Sequence, residues 1–228
     1  MRTYSMQAKG NKKATITIYT EIGGYWDGIS ANQFAKDLKA LGDIDEINLR
    51  ISSPGGEVFD GQTIYTILKS HKARVIVDID GLAASIASVI AMAGDEIRMA
   101  DNALMMIHNA WGYGVGTAED LRSTADLLEK VNGTIIGTYV KRTGKDEADI
   151  VKMMDAETWM SAAEAKEHGF IDSITDALEM AASFDLSKFR YRNTPKAVVQ
   201  QNLDHRVRLA HMSLAAQKIR TASSPKQG

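Results

Sequence analysis

Strand-like and helix-like segments alternate through the first half of this chain, and that alternation limits the fold more than any other feature of the sequence. β-Branched residues at every second position indicate a strand, and apolar residues three and four apart indicate a helix that buries one face. Residues 14–94 repeat this pair three times, with the strands "ATITIYTEI", "EINLRIS" and "ARVIVDID" each followed by a helical pattern. Repeated βα units predict an α/β fold with a mainly parallel sheet.

The first and third of these helices have distinct sequence signals. The first, "SANQFAKDLKAL", opens with a capping box of Ser30 and Gln33. The third is predicted over residues 80–94, "DGLAASIASVIAMAG", where two serines interrupt a run of small apolar residues directly after a strand. Two short strands are predicted next, at "EIRMA" and "ALMMIH".

The second half of the chain continues with a long helix. Apolar residues near 3.6-residue spacing predict one helix over 117–142. Ser161 and Glu164 form another capping box, Gly169 suits the end of that helix, and "FIDSI" predicts a last strand.

Composition excludes several classes of protein. The 228 residues include no cysteine, so the chain has no disulfide and no thiolate, and its five histidines are not spaced as zinc ligands. We therefore expect no metal and no cofactor. The longest apolar run, residues 81–94, is shorter than the roughly 18–20 residues that span a bilayer, and the N-terminus lacks the apolar core of a secretory signal. These features predict a cytoplasmic protein without a membrane partner.

Charge is distributed unevenly along the chain. Residues 183–228 hold nine Lys and Arg against two Asp, a charge of +7, whereas the remaining residues carry −9. A basic tail on an acidic body is typical of interaction segments, and residues 203–220 have the pattern of a basic amphipathic helix. We interpret the tail as a solvated segment, with docking to an acidic scaffold as the alternative and nucleic-acid binding disfavoured.

The predicted organisation is an N-terminal segment 1–13, a domain 14–182 and a basic tail 183–228.

Two predicted turns have residues suited to a ligand site. In "SSPGGE", Pro54 lacks an N–H and Gly55 and Gly56 lack side chains, so the backbone is able to approach a ligand closely. Ser85 lies at the next strand-to-helix turn, where a helix N-terminus favours a developing anion. Each feature has an ordinary alternative, a tight turn for the glycines and a packing role for the serine. The GxSxG elbow of α/β-hydrolases is not the pattern here.

His108 follows the apolar strand "ALMMI" and precedes the glycine-containing "NAWGYG". It is therefore expected at the carboxyl edge of the sheet, where sites in open α/β folds form. A structural histidine at a strand end is the alternative interpretation. Because a serine nucleophile needs a base within hydrogen-bond reach and a carboxylate to orient that base, Ser85 and His108 are a candidate pair if one fold brings them together.

Three blocks of sequence, in this order, resemble the proteolytic subunit of the Clp protease, a self-compartmentalising serine peptidase. They are "SSPGGEVFDGQTIYTIL", "GLAASIASVIAMAGDEIRMADNALMMIHNAWG" and "ETWMSAAEAKEHGFIDSI". The resemblance covers residues 14–178, and the three blocks together are specific although each is weak by itself. It implies the fold shared by Clp peptidases and crotonases, with repeated β-β-α units, a mainly parallel sheet and a long handle helix. The helix over 117–142 corresponds to the handle, and "WGYGVG" to the strand and loop that lead into it.

The resemblance also implies a role for each candidate site residue. Ser85 matches the nucleophile and His108 matches the base, so the domain 14–182 is expected to be a serine-type endopeptidase. The backbone N–H groups of Gly56 and Ile86 match the oxyanion hole. Two fixed N–H donors at a developing oxyanion are each worth about 3 kcal/mol, and this chemistry requires no metal or cofactor.

The third member of the triad departs from the family pattern. The family has an aspartate before the aromatic-Leu-Ser/Thr segment that opens the next helix, and here Glu157 precedes "TWMS". Glu157 is our first choice for the acid that orients His108, and Asp155 is the alternative. A further alternative is that both are solvated loop acids, so that the site works as a dyad or not at all.

The resemblance implies a homo-oligomer of stacked seven-membered rings whose chamber encloses the sites and receives a protein or peptide substrate. Glu157 and the C-terminal stretch from "FDLSKF" onward look more like the Clp-related proteases of phage and prophage head assembly, which process scaffold and capsid protein. An ATP-dependent housekeeping subunit with an unfoldase partner is the alternative. The expected location is the cytoplasm of a bacterium or of a phage-infected host.

Two rival functions belong to other classes. A crotonase-type acyl-CoA enzyme shares a related fold and an oxyanion hole of two N–H groups, but it has no need for Ser85 and His108 together. A non-catalytic ring subunit would keep the fold for assembly, and the replaced aspartate keeps this alternative open.

Overall fold

The computed structural model describes residues 4–23, 28–178, 184 and 186–196. The chain divides into two units, residues 1–182 and 183–228. In the second unit, a 3-10 helix spans Leu186–Phe189. The elements of the first unit are, in chain order, β1 (Tyr4–Ala8), β2 (Lys13–Ile18), α1 (Ala31–Ala40), β3 (Glu46–Ser53), α2 (Val58–Ser70), β4 (Arg74–Ala84), α3 (Ile86–Ala91), β5 (Glu96–Ala100), β6 (Leu104–Ile107), α4 (Ala118–Thr143), α5 (Glu147–Asp155), β7 (Thr158–Ser161), α6 (Ala162–Glu167) and β8 (Ser173–Thr175).

The strands form one sheet of mostly parallel neighbours in the order β1-β2-β3-β4-β5-β8. From β2 to β8 this path is parallel, whereas β1 pairs with β2 in antiparallel fashion. Alternate residues of the central strands are fully buried, such as Ile47, Leu49 and Ile51 in β3, because successive side chains of a strand point to opposite faces. The predicted α/β fold with a mainly parallel sheet is confirmed, and it is the fold expected from the Clp resemblance.

Strand β4 divides the sheet, and this division positions the site. Its first part, Ile76–Ile79, pairs with β5, whereas its last part, Leu82–Ala84, pairs with β6. Strand β7 then pairs with β6 in antiparallel fashion and extends this branch. The ends of β4 and β6 therefore lie side by side at the carboxyl edge.

The helix predicted over residues 80–94 is wrong in its first part. β4 continues to Ala84, and α3 covers only Ile86–Ala91. Alanine favours a helix by intrinsic propensity, but propensity is a weak prior that tertiary pairing overrides. Here Ala83 pairs with Ser53 of β3 and with Met105 of β6, and these tertiary interactions override the helical pattern.

Several other boundaries differ from prediction. The segment "TWMS" forms β7 rather than opening a helix, because it pairs with β6, and the last strand is limited to Ser173–Thr175. "WGYGVG", at residues 111–116, contains no strand. Neither β1 nor α5 was predicted from the sequence.

The predicted helix ends are largely confirmed. The long helix α4 lies within one residue of its predicted bounds, and Ser161 with Glu164 forms a complete capping box. Gly169 has φ +81° and follows the last turn of α6. At α1, Ser30 accepts the Gln33 N–H at 3.3 Å, but the Gln33 side chain binds Asp37 instead of completing the box.

The three-part division at residues 13 and 182 stays a prediction, and the helix predicted at 203–220 lies outside the described residues.

Candidate active site

Ser85 and His108 are brought together by the pairing of β4 with β6. The two strands are parallel, with Ala84 opposite Met106, so the residues that follow them emerge at the same edge. The Ser85 N–H donates to the Met106 carbonyl at 2.9 Å and extends this pairing by one residue. Ser85 Oγ and His108 Nε2 are 2.8 Å apart, and both residues are half-buried. The distance suits proton transfer between a serine hydroxyl and an imidazole.

The backbone of Ser85 is held in a conformation that is costly for a non-glycine residue. Its φ is 55° and its ψ is −130°, between the end of β4 and the first residue of α3. Conformations of this kind cost about 1–3 kcal/mol and persist only where the surrounding structure fixes them. The strain allows the chain to turn from strand to helix at one residue, which places the serine side chain at the sheet edge.

The "SPGG" turn packs directly against the Ser85 turn. Gly55 has φ +91°, and a Cβ built on it would lie 2.7 Å from the Ala84 carbonyl oxygen and 3.3 Å from the Ile86 nitrogen. Two bonds fix the turn from its other side: the Ile22 N–H donates to the Gly55 carbonyl, and the Glu57 N–H donates to the Ile22 carbonyl, each at 2.8 Å. The lack of a side chain at Gly55 thus permits this close approach.

The two N–H groups predicted for the oxyanion hole lie in these two turns. The Gly56 N–H takes part in neither bond with Ile22, and Gly56 itself has φ +144°. Ile86 is the first residue of α3, where N–H groups have no acceptor within the helix. Both are therefore suited to donate to an anion formed beside Ser85.

The two candidate acids differ in burial. Ile107 of β6 lies opposite Thr158 of β7, so the next positions of this register are His108 and Glu157. Glu157 is only 3% exposed, has φ +49°, and accepts a bond from the Trp159 indole N–H at 3.2 Å.

Asp155 lies on the exposed surface at the end of α5. It accepts a bond from the Asn109 amide at 2.7 Å. Asn109 directly follows His108 in sequence, so this bond holds Asp155 beside a neighbour of the base. The role of Glu157 or Asp155 as the orienting acid stays a prediction.

The acidic residues that precede Ser85 in β4 are paired with arginines of neighbouring strands. Asp80 binds Arg50 of β3 through two nitrogens, at 2.8 Å each, and also accepts the Tyr19 hydroxyl. Asp78 binds Arg98 of β5 in the same way, at 2.7 and 2.9 Å. These bonds explain how an almost fully buried Asp80 is tolerated, and they give the two aspartates a structural role in the sheet.

Ser88 contacts the Ser85 turn and Tyr139 contacts Ser88, although neither residue was predicted to belong to the site. Ser88 Oγ lies 2.5 Å from the Ser85 carbonyl oxygen and 2.7 Å from the Tyr139 hydroxyl oxygen. The available signal was weak, because Ser88 looks like one of several small residues in α3 and Tyr139 like one of the apolar residues of α4.

The described part of the chain contains neither a cluster of metal ligands nor a helix that could span a membrane. No group of three or more His, Asp or Glu side chains there is arranged to hold a metal ion. No helix within those same ranges has the length and apolarity needed to cross a bilayer.

Comparison with known proteins adds independent information on this arrangement. The Clp protease family model matches residues 1–177. The chain belongs to the Clp protease family. It is 36% identical over 180 residues to an ATP-dependent Clp protease proteolytic subunit of Deinococcus radiodurans, covering 77% of this chain and 86% of that protein. It is 31% identical over 158 residues to a subunit of the same description from Bacteroides fragilis, covering 67% of this chain and 76% of the relative.

The resemblance inferred from the three sequence blocks is thus confirmed as family membership. Clp proteases are serine endopeptidases that act on protein substrates and typically form ring oligomers. The family match includes every candidate site residue named above: Gly56, Ser85, Ile86, His108, Asp155 and Glu157.

Proposed function

We propose that this Clp-family chain is an active serine endopeptidase in which Ser85 is the nucleophile and His108 the base. The observation that carries this proposal is the 2.8 Å distance between Ser85 Oγ and His108 Nε2. A serine is a weak nucleophile unless an adjacent base accepts its proton, so this contact is the requirement for acyl transfer.

The reaction follows from these positions. Ser85 Oγ attacks the carbonyl carbon of the scissile peptide while His108 accepts its proton. The oxyanion of the tetrahedral intermediate is bound by the N–H groups of Gly56 and Ile86. His108 then gives the proton to the leaving amine, and a water molecule hydrolyses the acyl-enzyme by the same route.

Glu157 is the acid that we assign to the orientation of His108. Two features support it over Asp155: its place opposite His108 in the β6–β7 register, and its burial. A buried carboxylate interacts more strongly with an imidazolium than an exposed one, because water screens the exposed group.

We propose further that the chain assembles into two stacked seven-membered rings, with α4 and the preceding loop between the rings. Five large apolar side chains of this region are exposed in the single chain: Trp111, Tyr113, Val115, Leu121 and Leu127, with Val115 at 94%. Several large apolar side chains exposed in one region of a chain are typical of a protein interface. Fourteen chains of 24.9 kDa would give a particle of about 350 kDa, which sedimentation would detect.

The natural substrate that we propose is a capsid or scaffold protein of a phage or prophage. Glu157 in "ETWMSAAEA" and the C-terminal stretch after residue 183 support this branch. The alternative is an ATP-dependent subunit like the relatives described above, which would work with an unfoldase. We propose the cytoplasm as the location under either alternative, because newly made capsid protein and ATP both occur there. Cleavage of folded protein that requires ATP and an unfoldase would favour the alternative.

Labelling with a fluorophosphonate probe tests the catalytic proposal. The probe forms a bond between its phosphorus and an activated serine oxygen, with loss of fluoride. We expect the intact chain to be labelled and Ser85→Ala to remain unlabelled. Labelling by His108→Ala should slow by about 100-fold or more. Ser70→Ala, which removes an exposed hydroxyl of α2, is the matched control and should label normally.

The same assay separates the two acids and the rival functions. Glu157→Gln should label more slowly, whereas Asp155→Asn should label like the intact chain, and the reverse order would reassign the acid. An assembled intact chain that is never labelled would contradict the proposal and favour a silent ring subunit or acyl-CoA chemistry. Binding of coenzyme A would then distinguish these two.

A further inference from the structure

Two buried hydroxyl groups connect the long helix α4 to the turn that carries Ser85. Ser88 has no exposed surface and Tyr139 is 1% exposed. The Ser88 hydroxyl donates to the Ser85 carbonyl oxygen at 2.5 Å, and the Ser88 N–H donates to the same oxygen at 3.0 Å. Because the only proton of the Ser88 hydroxyl is used in this way, the Tyr139 hydroxyl must donate to Ser88 Oγ, at 2.7 Å.

The carbonyl that accepts these bonds belongs to the same peptide unit as the Ile86 N–H. A peptide unit is planar, so holding its oxygen also fixes the direction of its N–H. Donation to the oxygen polarises the unit and strengthens the N–H as a donor, since hydrogen bonds in a chain reinforce one another. The path from Tyr139 through Ser88 therefore ends at one of the two donors assigned to the oxyanion hole.

We infer that Tyr139 and Ser88 are positioning residues that orient and polarise the Ile86 N–H for binding of the oxyanion. This inference rests on the proposed function, because it assigns a role to groups that act through that donor. Burial raises the pKa of the Tyr139 phenol well above its ordinary value, so the hydroxyl keeps its proton and remains a donor at any working pH.

The hydroxyl of Tyr139 is separable from its packing role. Its ring meets Phe170 edge to face, with centroids 5.6 Å apart, and a phenylalanine would keep that contact. Tyr139→Phe therefore removes the first donor of the path and leaves the ring in place. Tyr65→Phe is the matched control, since Tyr65 is a half-buried tyrosine of α2 that belongs to no part of this path.

The test is steady-state hydrolysis of a small peptide, together with inhibition by a peptide boronate. The boronate forms a tetrahedral adduct with Ser85 whose oxygen occupies the oxyanion hole. For Tyr139→Phe we expect kcat to fall about tenfold, less than the 10²–10³-fold cost of deleting an oxyanion donor. KM should stay within about twofold, and boronate affinity should weaken by the same factor as kcat.

A second variant makes the result independent of any folding defect. Ser88→Ala should lower kcat at least as much as Tyr139→Phe, and the double variant should be no slower than Ser88→Ala, because both changes interrupt one path. Independent, additive losses in the double variant would overturn the inference.

Three other outcomes are also decisive. A Tyr139→Phe enzyme with the kinetics of Tyr65→Phe would overturn the inference, as would a loss of kcat without a matching loss of boronate affinity. If instead the intact chain shows no turnover that depends on Ser85, the proposed function itself is wrong.

Discussion

Replacing Gly55 by alanine tests how tightly the "SPGG" turn holds the nucleophile. Gly55 has φ +91°, a left-handed conformation that costs alanine about 1–2 kcal/mol. The added Cβ would lie 2.7 Å from the Ala84 carbonyl oxygen and 2.8 Å from Ser85 Cβ. Ordinary contact begins at 3.4 Å, so the two turns must separate by about 0.7 Å. The neighbours are backbone and a Cβ, which do not rotate away, so the overpacking adds about 1–3 kcal/mol.

Both stability and catalysis should therefore suffer in Gly55→Ala. The free energy of unfolding should fall by about 2–5 kcal/mol, the sum of conformational cost and overpacking. A misplacement of about 1 Å at a reacting group costs about 10²-fold in rate, so a shift of this size at Ser85 should slow fluorophosphonate labelling by about tenfold or more. Gly42→Ala is the matched control, since Gly42 has φ +75° but its Cβ would meet nothing within 4 Å.

The two variants are compared by guanidinium unfolding and by labelling rates measured well below the unfolding transition. Gly42→Ala should lose only about 1–2 kcal/mol and should label at the rate of the intact chain. If Gly55→Ala matches Gly42→Ala in both measurements, contact between the two turns does not position Ser85, and the reasoning is wrong.

Three further changes give separate expectations. Burial of Asp172 raises its pKa, but the bonds that it accepts from Arg142 and from the Ile97 N–H together outweigh burial and hold the pKa of Asp172 below its ordinary value. The depressed pKa contributes stability that is complete above about pH 4 and is lost as the pH falls further. In Asp172→Asn, the free energy of unfolding should therefore decrease less steeply as the pH is lowered below about 4 than it does in the intact chain. Asp80→Ala leaves Arg50 half-buried without its carboxylate and should cost about 3 kcal/mol of unfolding free energy, whereas replacing both by apolar residues should cost much less. Deleting residues 190–228 should leave hydrolysis of a small peptide intact, and a truncated chain that loses both activity and assembly would contradict the prediction.

The sequence carried the fold class because the central strands and the helices have clear periods. The alternation in "ATITIYTEI" and the spacing in α4 are local signals that survive in the structure. The boundary at Ser85 was missed because Leu82, Ala83 and Ala84 favour a helix locally, whereas pairing with β3 and β6 keeps this segment in a strand. Local patterns contain no information on such long-range pairing.

The candidate site could be predicted from the sequence only in part, for the same reason. Ser85 and His108 were candidates from their predicted places at strand ends, the resemblance assigned their roles, and their contact results from the register of β4 with β6. Ser88 and Tyr139 are 51 residues apart, and nothing in either neighbourhood indicates that their hydroxyls meet. Burial is also invisible in the sequence, where Asp155 and Glu157 look equally polar although only Glu157 is enclosed.

The division of the sheet at β4 has a consequence for how the enzyme fluctuates. Among the described residues, strands β6 and β7 pair with the rest of the sheet through Leu82–Ala84 of β4 and the adjoining Ser85 N–H, so we expect this branch to open as a cooperative unit. Such an excursion separates His108 from Ser85 while β2 to β5 keep their pairing. Hydrogen exchange at the Met105 and Met106 amides would then report the lifetime of the dyad itself, and a substrate that bridges both sides of the branch would slow that exchange.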